Sequence, residues 1–263
     1  MQTNPDSPFA SVVGLGALKS EHPHGGRAKW LNLIIGAGCL VAVPIAGLLA
    51  AYFIYDDYNR RGSTHMFDNA IAPLICGGIA LVLGIPILLS SWRNWPLAAA
   101  LYENGFAYHD RQGVKQVPWN QIEAVWQSVT RHYTNGVYTG TTHLYTVQAQ
   151  NGVKIKMDDK LAKVEDLGQE IQRGAATSLF PRYWQALQSG QRLTFGPLAL
   201  DTQGLYSGKK ELRWSEIKGV KIERGTISVR KEKGWFPWAT ATVPQIPNFY
   251  IFYELVGRFT QVE

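Results

Sequence analysis

Two uninterrupted apolar runs dominate the first third of the chain. WLNLIIGAGCLVAVPIAGLLAAYFIY, from Trp30 to Tyr55, holds 26 residues without a charge, and AIAPLICGGIALVLGIPILL, from Ala70 to Leu89, holds 20 more. At about 1.5 Å per residue, either run as a helix reaches the roughly 30 Å thickness of a bilayer's hydrocarbon core. Both are apolar all round, which fits lipid better than a buried hairpin in water. A signal peptide fits less well, because its apolar stretch is shorter and lies nearer the N-terminus. Pro44, Pro73 and Pro86 do not oppose the reading, since membrane helices tolerate proline where neighbours satisfy the freed carbonyls.

The flanks of these runs suggest an orientation. Lys19, Arg27 and Lys29 precede the first and Arg93 follows the second, while the connecting DDYNRRGSTHMFDN offers only Arg60 and Arg61. Counting Lys and Arg alone, this predicts a two-span protein of the cell membrane with both termini in the cytoplasm. Trp30, Trp92 and Trp95 suit one interface, and Tyr55 and Tyr58 the other. Cys39 and Cys76 lie inside the apolar runs and read as packing residues. The Ala80 to Gly84 spacing is compatible with close helix approach.

Residues 1–28 are rich in Gly, Pro, Ser and His, have little periodicity, and read as a mobile cytoplasmic tail. Its HPHGG stretch reads as polar linker rather than a metal site. After Pro96 the pattern changes to short alternating runs broken by turn residues, as in antiparallel strands. Asn135-Gly136 and Asn151-Gly152 are hairpin cues. A helical pattern follows through Leu161, Val164, Leu167 and Ile171, with Asp159 as its expected cap and Pro181 expected to kink or restart it. Short strands then resume, and a last helix with Asn248 as its expected cap closes the chain. These breaks divide the chain into a tail (1–28), a helical hairpin (29–95) and two strand-rich units, 96–189 and 190–263, each ending in a helix.

The two strand-rich units share a motif. ENGFAYHDRQGVKQVPWNQIEAV lies over TQGLYSGKKELRWSEIKGV, so Gly105 matches Gly204, Trp119 matches Trp214, Ile122 matches Ile217 and Val125 matches Val220. The Gly-to-Trp spacing is 14 in the first and 10 in the second, making the first hairpin four residues longer. A hairpin, a tryptophan, a polar corner and a strand suggest a unit in which the corner carries the chain into a second sheet and the tryptophan closes a barrel end.

Strand, Gly-turn, strand, W-x-x-I-x-x-V, a meander and a closing helix resemble the pleckstrin-homology-like (PH-like) superfold of bacterial PH-like and GRAM-like domains. From residue 30 to about 260 the chain resembles an uncharacterised family of membrane proteins with a PH-like cytoplasmic region. The resemblance implies an α+β membrane protein: two transmembrane helices, then tandem PH-like antiparallel barrel or sandwich units, each closed by a helix. It implies little about a ligand.

No catalytic pattern is legible: there is no G-x-S-x-G, Gly-rich phosphate loop or H-E-x-x-H, and the six histidines lack ligand spacing. The chain is therefore read as non-enzymatic, without cofactor or metal. Charge is more informative. Residues 1–92 carry equal numbers of acids and bases, so the whole of the net +6 lies downstream. Lys209, Lys210, Arg213, Lys218 and Lys221 form a candidate strip facing anionic lipid headgroups, although phosphoinositide-binding PH domains carry a richer basic pattern in their first hairpin than the single Lys115 here. Arg131, His132, Tyr133 and Tyr138 form a candidate partner-binding hairpin, and Trp235 and Trp238 either plug a barrel or meet lipid headgroups. The expected role is a scaffold or sensor that binds a protein partner or the anionic membrane surface. Nucleic-acid binding, suggested by the pI near 9.2, and an enzyme with an unfamiliar site are the alternatives.

Overall fold

The fold is that of a computed structural model, which describes residues 7–262. It divides into two compact units, His24–Leu97 and the remainder of the chain on either side of it.

The first unit is a helical hairpin, α1 (Gly26–Arg61) and α2 (Ile71–Asn94), both long and apolar enough to cross a membrane. Pro44 and Pro86 lie inside their helices without ending them. The contact seam is built from small residues. Gly77, Gly84 and Ser91 are the buried positions of α2, spaced seven apart; Gly77 lies against Ala46 of α1, and Gly84 against Cys39 and the Gly36 carbonyl. A Cβ on Gly84 would stand 2.8 Å from the Cβ of Cys39, and one on Gly77 would stand 3.0 Å from that of Ala46. Large side chains point the other way, with Leu48 73% and Val82 68% exposed. At the tip, the buried Asp57 accepts hydrogen bonds from Asn69 Nδ2 at 3.0 Å to each carboxylate oxygen.

The second unit begins with a departure from the expected mobile tail. Leu18–Pro23 is a strand, β1, and it pairs antiparallel with β2 (Ala98–Tyr102), from Leu18 opposite Tyr102 to Pro23 opposite Ala98. The helical hairpin is thus inserted between two neighbouring strands of one sheet. The residues before β1 are packed as well. Phe9 and Leu15 are buried on Ala100, Tyr102 and Ala107, where alanines leave the sheet face low and in need of cover. His22 of the HPHGG stretch is buried, its ring nitrogens bonded to Ser20 Oγ at 3.0 Å and the Ala162 carbonyl at 2.9 Å. Residues 1–6 of the expected tail lie outside the described residues.

The meander continues through β3 (Gly105–Asp110) and β4 (Gly113–Pro118) to complete a four-stranded sheet. A 3-10 turn at Trp119–Gln121 leads to a three-stranded sheet of β5 (Ile122–Thr134), β6 (Val137–Ala149) and β7 (Lys154–Asp158). Helix α3 (Val164–Gln188) follows and touches strands of both sheets. It runs unbroken through Pro181, and Asp159 does not cap it, because that carboxylate is bonded to His143 instead.

The same order then recurs. β8 (Leu193–Phe195), β9 (Leu198–Leu200), β10 (Gly204–Ser207) and β11 (Lys210–Arg213) form a four-stranded sheet. A 3-10 turn at Trp214–Glu216 leads to the three strands β12 (Ile217–Glu223), β13 (Thr226–Lys231) and β14 (Ala239–Thr242), and α4 (Phe249–Gly257) follows. Among the described residues neither half closes into a barrel, because strand pairing stays within each sheet. The 3-10 turns carry the chain out of one ladder before the next begins.

The repeated motif is a repeated structure. Trp119 donates its backbone N–H to Asn104 O at 3.0 Å and its Nε1–H to Glu103 O at 2.8 Å; Trp214 donates correspondingly to Gln203 O at 3.1 Å and Asp201 O at 3.0 Å. Ile122, Val125, Ile217 and Val220 are all buried, and the strands they begin both carry a bulge just after the isoleucine. A Cβ on Gly105 would lie 2.5 Å from Val117 O and one on Gly204 2.2 Å from Leu212 O, so both sites exclude any side chain. The tryptophans do not close barrel ends. Trp119 stacks on Phe106 and covers Gly174 of α3, and Trp214 stacks on Phe259 with centroids 4.6 Å apart.

The two halves belong to one compact unit, and Asn248 joins them. This residue, expected to cap α4, sits at φ 53 and points its side chain at β5. Its backbone N–H donates to Val125 O at 2.8 Å, its Oδ1 accepts from Val125 N at 3.0 Å, and its Nδ2 donates to Glu123 O at 3.0 Å and Tyr183 Oη at 3.1 Å. Removing the amide strands a buried N–H, which costs about 1–3 kcal/mol on top of the lost bonds. Asn248→Ala is therefore expected to lower the melting temperature of the detergent-solubilised chain by about 5–10 °C. An unchanged melting temperature, read by circular dichroism, would mean that the halves do not depend on this contact.

Candidate functional site

The strongest candidate surface is the hairpin of β5 and β6. Each strand is 13 residues long, but β7 pairs only with Leu144–Gln148, so the outer part is a two-stranded arm. Asn135 and Gly136 both have positive φ, 51° and 81°, and close it as a tight turn, as their sequence suggests. Opposite His132 and Tyr133 the β6 strand carries one extra residue, Thr139, and this bulge brings Tyr138 onto the face that Thr141 and His143 share with Arg131 and Tyr133.

That face borders a groove of about 610 Å³ that also takes in Val129 and Glu165 of α3. Tyr133 and Tyr138 pack edge to face at 5.9 Å near the tip, and both are exposed. Thr142 Oγ1 holds His132 Nε2 at 2.7 Å on the opposite face. At the base, Asp159 accepts from the His143 backbone N–H at 2.7 Å and bonds its Nδ1 at 2.9 Å, while Glu165 lies 3.6 Å from Nε2. The structure brings Arg131, Tyr133 and Tyr138 together on the groove with His143, leaves His132 on the opposite face, and fixes His143 through Asp159 and Glu165 where the hairpin leaves the sheet. The arm presents two exposed aromatic rings, one guanidinium, several hydroxyls and, beyond the reach of β7, a β6 edge without a strand neighbour.

The basic strip is divided. Lys209 and Lys210 stand at the β10–β11 turn, Arg213 at the far end of β11, and Lys218 and Lys221 on β12, in the other sheet. Lys221 is taken up by Glu223 at 2.7 Å, and this lysine, through its hydrogen bond and charge, holds the Glu223 carboxyl below its ordinary range. Lys218 sits in the β12 bulge, opposite Arg230 and Lys231. Trp235 and Trp238 prove different from each other: Trp238 is tucked back, its N–H bonded to Val229 O at 2.8 Å, and Trp235 is fully exposed beside Phe236.

A cleft of about 930 Å³ beside the Trp119 corner carries charges of both signs, from Lys19, Glu103, Glu170 and Arg173. Among the described residues no three His, Cys, Asp or Glu side chains gather as a metal site would require.

The sequence model of one family matches residues 9–263. The chain belongs to DUF6585, a family of unknown function. The match spans the N-terminal segment, the hairpin and both halves of the α+β unit, so the insertion of two apolar helices into a strand pair lies within the matched region of DUF6585. No curated protein matches the chain.

Tyr145, two residues beyond His143, is buried under α3, where a Cβ on Gly168 would meet its ring. Burial, with Glu165, Tyr250 and Asp159 nearby, pushes its pKa up to about 12. Tyr108 is likewise pushed up to about 12, by burial and then by Asp110 and Asp158. A raised tyrosine pKa means that the folded state holds the proton more tightly, so this contribution to stability is complete below the unfolded value near 10 and disappears as pH rises towards 12. Denaturant midpoints are expected to fall across that window, and fall less in a Tyr108→Phe, Tyr145→Phe variant. Tyrosinate absorbance from both residues appearing near pH 10 in the still-folded protein would contradict the placement.

Proposed function

We propose that this DUF6585 member is a non-enzymatic integral membrane protein in which α1 and α2 span the bilayer and the α+β unit is a cytoplasmic docking module for a protein partner. What supports the membrane reading is the inversion of the hairpin: small residues fill the helix seam while leucine, isoleucine and valine face outward, the reverse of a helix pair in water. What supports a module of two PH-like units is the recurring order of four strands, a tryptophan corner, three strands and a helix. In the first unit the strand β1, placed before the hairpin, supplies the opening strand.

The observation that carries docking is the β5–β6 arm. An isolated two-stranded ribbon is marginal in water, yet this one extends well past its sheet and ends in two exposed tyrosines. Aromatic rings on a protruding hairpin provide large contact area at small entropic cost, the residue type that dominates protein interfaces.

A photocrosslinking residue at Tyr138 in the full chain, expressed in its own cells, is expected to give one discrete protein adduct that is absent when the residue stands at Gly208. Adduct formation at Tyr138 no greater than at Gly208 would sink the docking reading. Separately, the chain is expected to stay with membranes through an alkaline carbonate wash, and a reporter fused after Glu263 is expected to be active only on the cytoplasmic side; release by carbonate would remove the membrane assignment.

A further inference from the structure

We infer that the loop between β13 and β14 is a second membrane contact, in which Trp235 and Phe236 enter the interface of an anionic leaflet; the inference rests on the membrane reading above. Trp235 is 100% and Phe236 86% exposed. Tryptophan is highly buried on average, so two adjacent large rings left wholly in water mark a surface meant to be covered.

The loop is built to present them. On one stem Glu232 N–H donates to Glu216 O at 2.9 Å, and on the other Trp238 N–H donates to Val229 O at 2.8 Å. Between these ties Gly234 takes φ 145°, Pro237 stiffens the return and Trp238 folds back to half-burial, leaving Trp235 and Phe236 as the two large rings outside.

Charge selects the occupant. Lys231 and Lys233 lead into the tip on its first stem beside Glu232 and Glu216, and Lys231 with Arg230 lies across the strand from the bulge that holds Lys218, so bases outnumber acids four to two here. Aromatic rings above a collar of bases match an anionic bilayer interface, where rings settle at headgroup depth and lysines meet phosphate and carboxylate groups. Covalent reach supplies proximity: two residues, His24 and Gly25, separate β1 from α1, and three, Trp95 to Leu97, separate α2 from β2. With the bilayer already at high local concentration, even a weak contact forms, so the loop reports the charge of the leaflet rather than recruiting the protein.

The test uses the full chain with Cys39 and Cys76 replaced by alanine and a nitroxide on Trp235→Cys, in nanodiscs of phosphatidylcholine with or without phosphatidylserine. In anionic discs at low salt the label is expected to lose access to a water-soluble nickel relaxant several-fold and to gain access to oxygen. High salt, neutral lipid, or Lys231→Gln with Lys233→Gln should each reverse this, and a label at Gly208→Cys should stay accessible to nickel throughout. A control label at Ile45→Cys, outward-facing on α1, reads the membrane assignment itself. Oxygen access at Ile45 with nickel access at Trp235 in both kinds of disc would overturn this inference and leave the membrane reading standing. Nickel access at Ile45 would overturn both. Shielding of the Trp235 label from both relaxants, equal in discs and detergent, would point to a protein surface and overturn the lipid assignment.

Discussion

A β-strand that starts a sheet leaves one row of N–H and C=O groups without a neighbour, and in this protein the residues on either side of α4 meet that row at one equivalent position in each half. Val125 and Val220 hold the same position in the two repeats, each buried and each on the first strand of a three-stranded sheet. The residue just before α4, Asn248, meets both backbone groups of Val125, and after α4 the Gln261 carbonyl accepts from Val220 N at 2.9 Å. The C-terminal segment therefore meets two equivalent positions, one before and one after its nine-residue helix. Buried backbone groups are paired, and at these two positions the C-terminal segment supplies the partner in both halves. The unit is continuous for that reason, although its sequence reads as two consecutive units.

Insertion of the helical hairpin follows a similar logic of endpoints. An antiparallel strand pair and an antiparallel helix pair each begin and end at neighbouring points, so one can be spliced into the connection of the other without stretching either. The β1–β2 ladder then holds the two ends of the insertion together through five paired positions. Packing of Phe9 and Leu15 against the alanines of β2 and β3 secures β1 from its other end, which explains why a strand of mostly polar residues stays in place.

The parts of this structure legible in the sequence are those specified locally. The charge-free runs, the Asn-Gly turns and the spacing from tryptophan to isoleucine to valine each carry their own signal, and each appears where the spacing puts it. The parts that were not legible depend on distant partners. LKSEHP reads as linker because an edge strand needs only weak alternation, and its partner lies 74 residues of insertion away. Asp159 and Asn248 have the composition of helix caps, but a carboxylate or an amide serves a strand's N–H equally well, and the fold uses both that way. The barrel expectation failed because a corner that leaves one sheet does not require hydrogen bonds to join it to the next. The helix seam follows Gly77, Gly84 and Ser91 at heptad spacing, a pattern visible in the sequence, rather than the Ala80 to Gly84 pair.

The two halves agree in their scaffold and differ at their turns. Their corners, bulges and glycines coincide because those features build the scaffold. Asn135-Gly136 in the first half corresponds to Arg224-Gly225 in the second, both pairs with positive φ, but the first closes strands of 13 residues and the second strands of seven and six. The next connection reverses the contrast. Asn151-Gly152 makes a short turn in the first half, where the second carries the exposed Trp235 and Phe236. A scaffold tolerates lengthening at its turns far better than in its core, so a duplicated fold acquires new surfaces at the hairpins it is free to extend. Each half has extended a different one, and the two surfaces differ in kind, a tyrosine-tipped ribbon in one and an aromatic loop with a basic collar in the other.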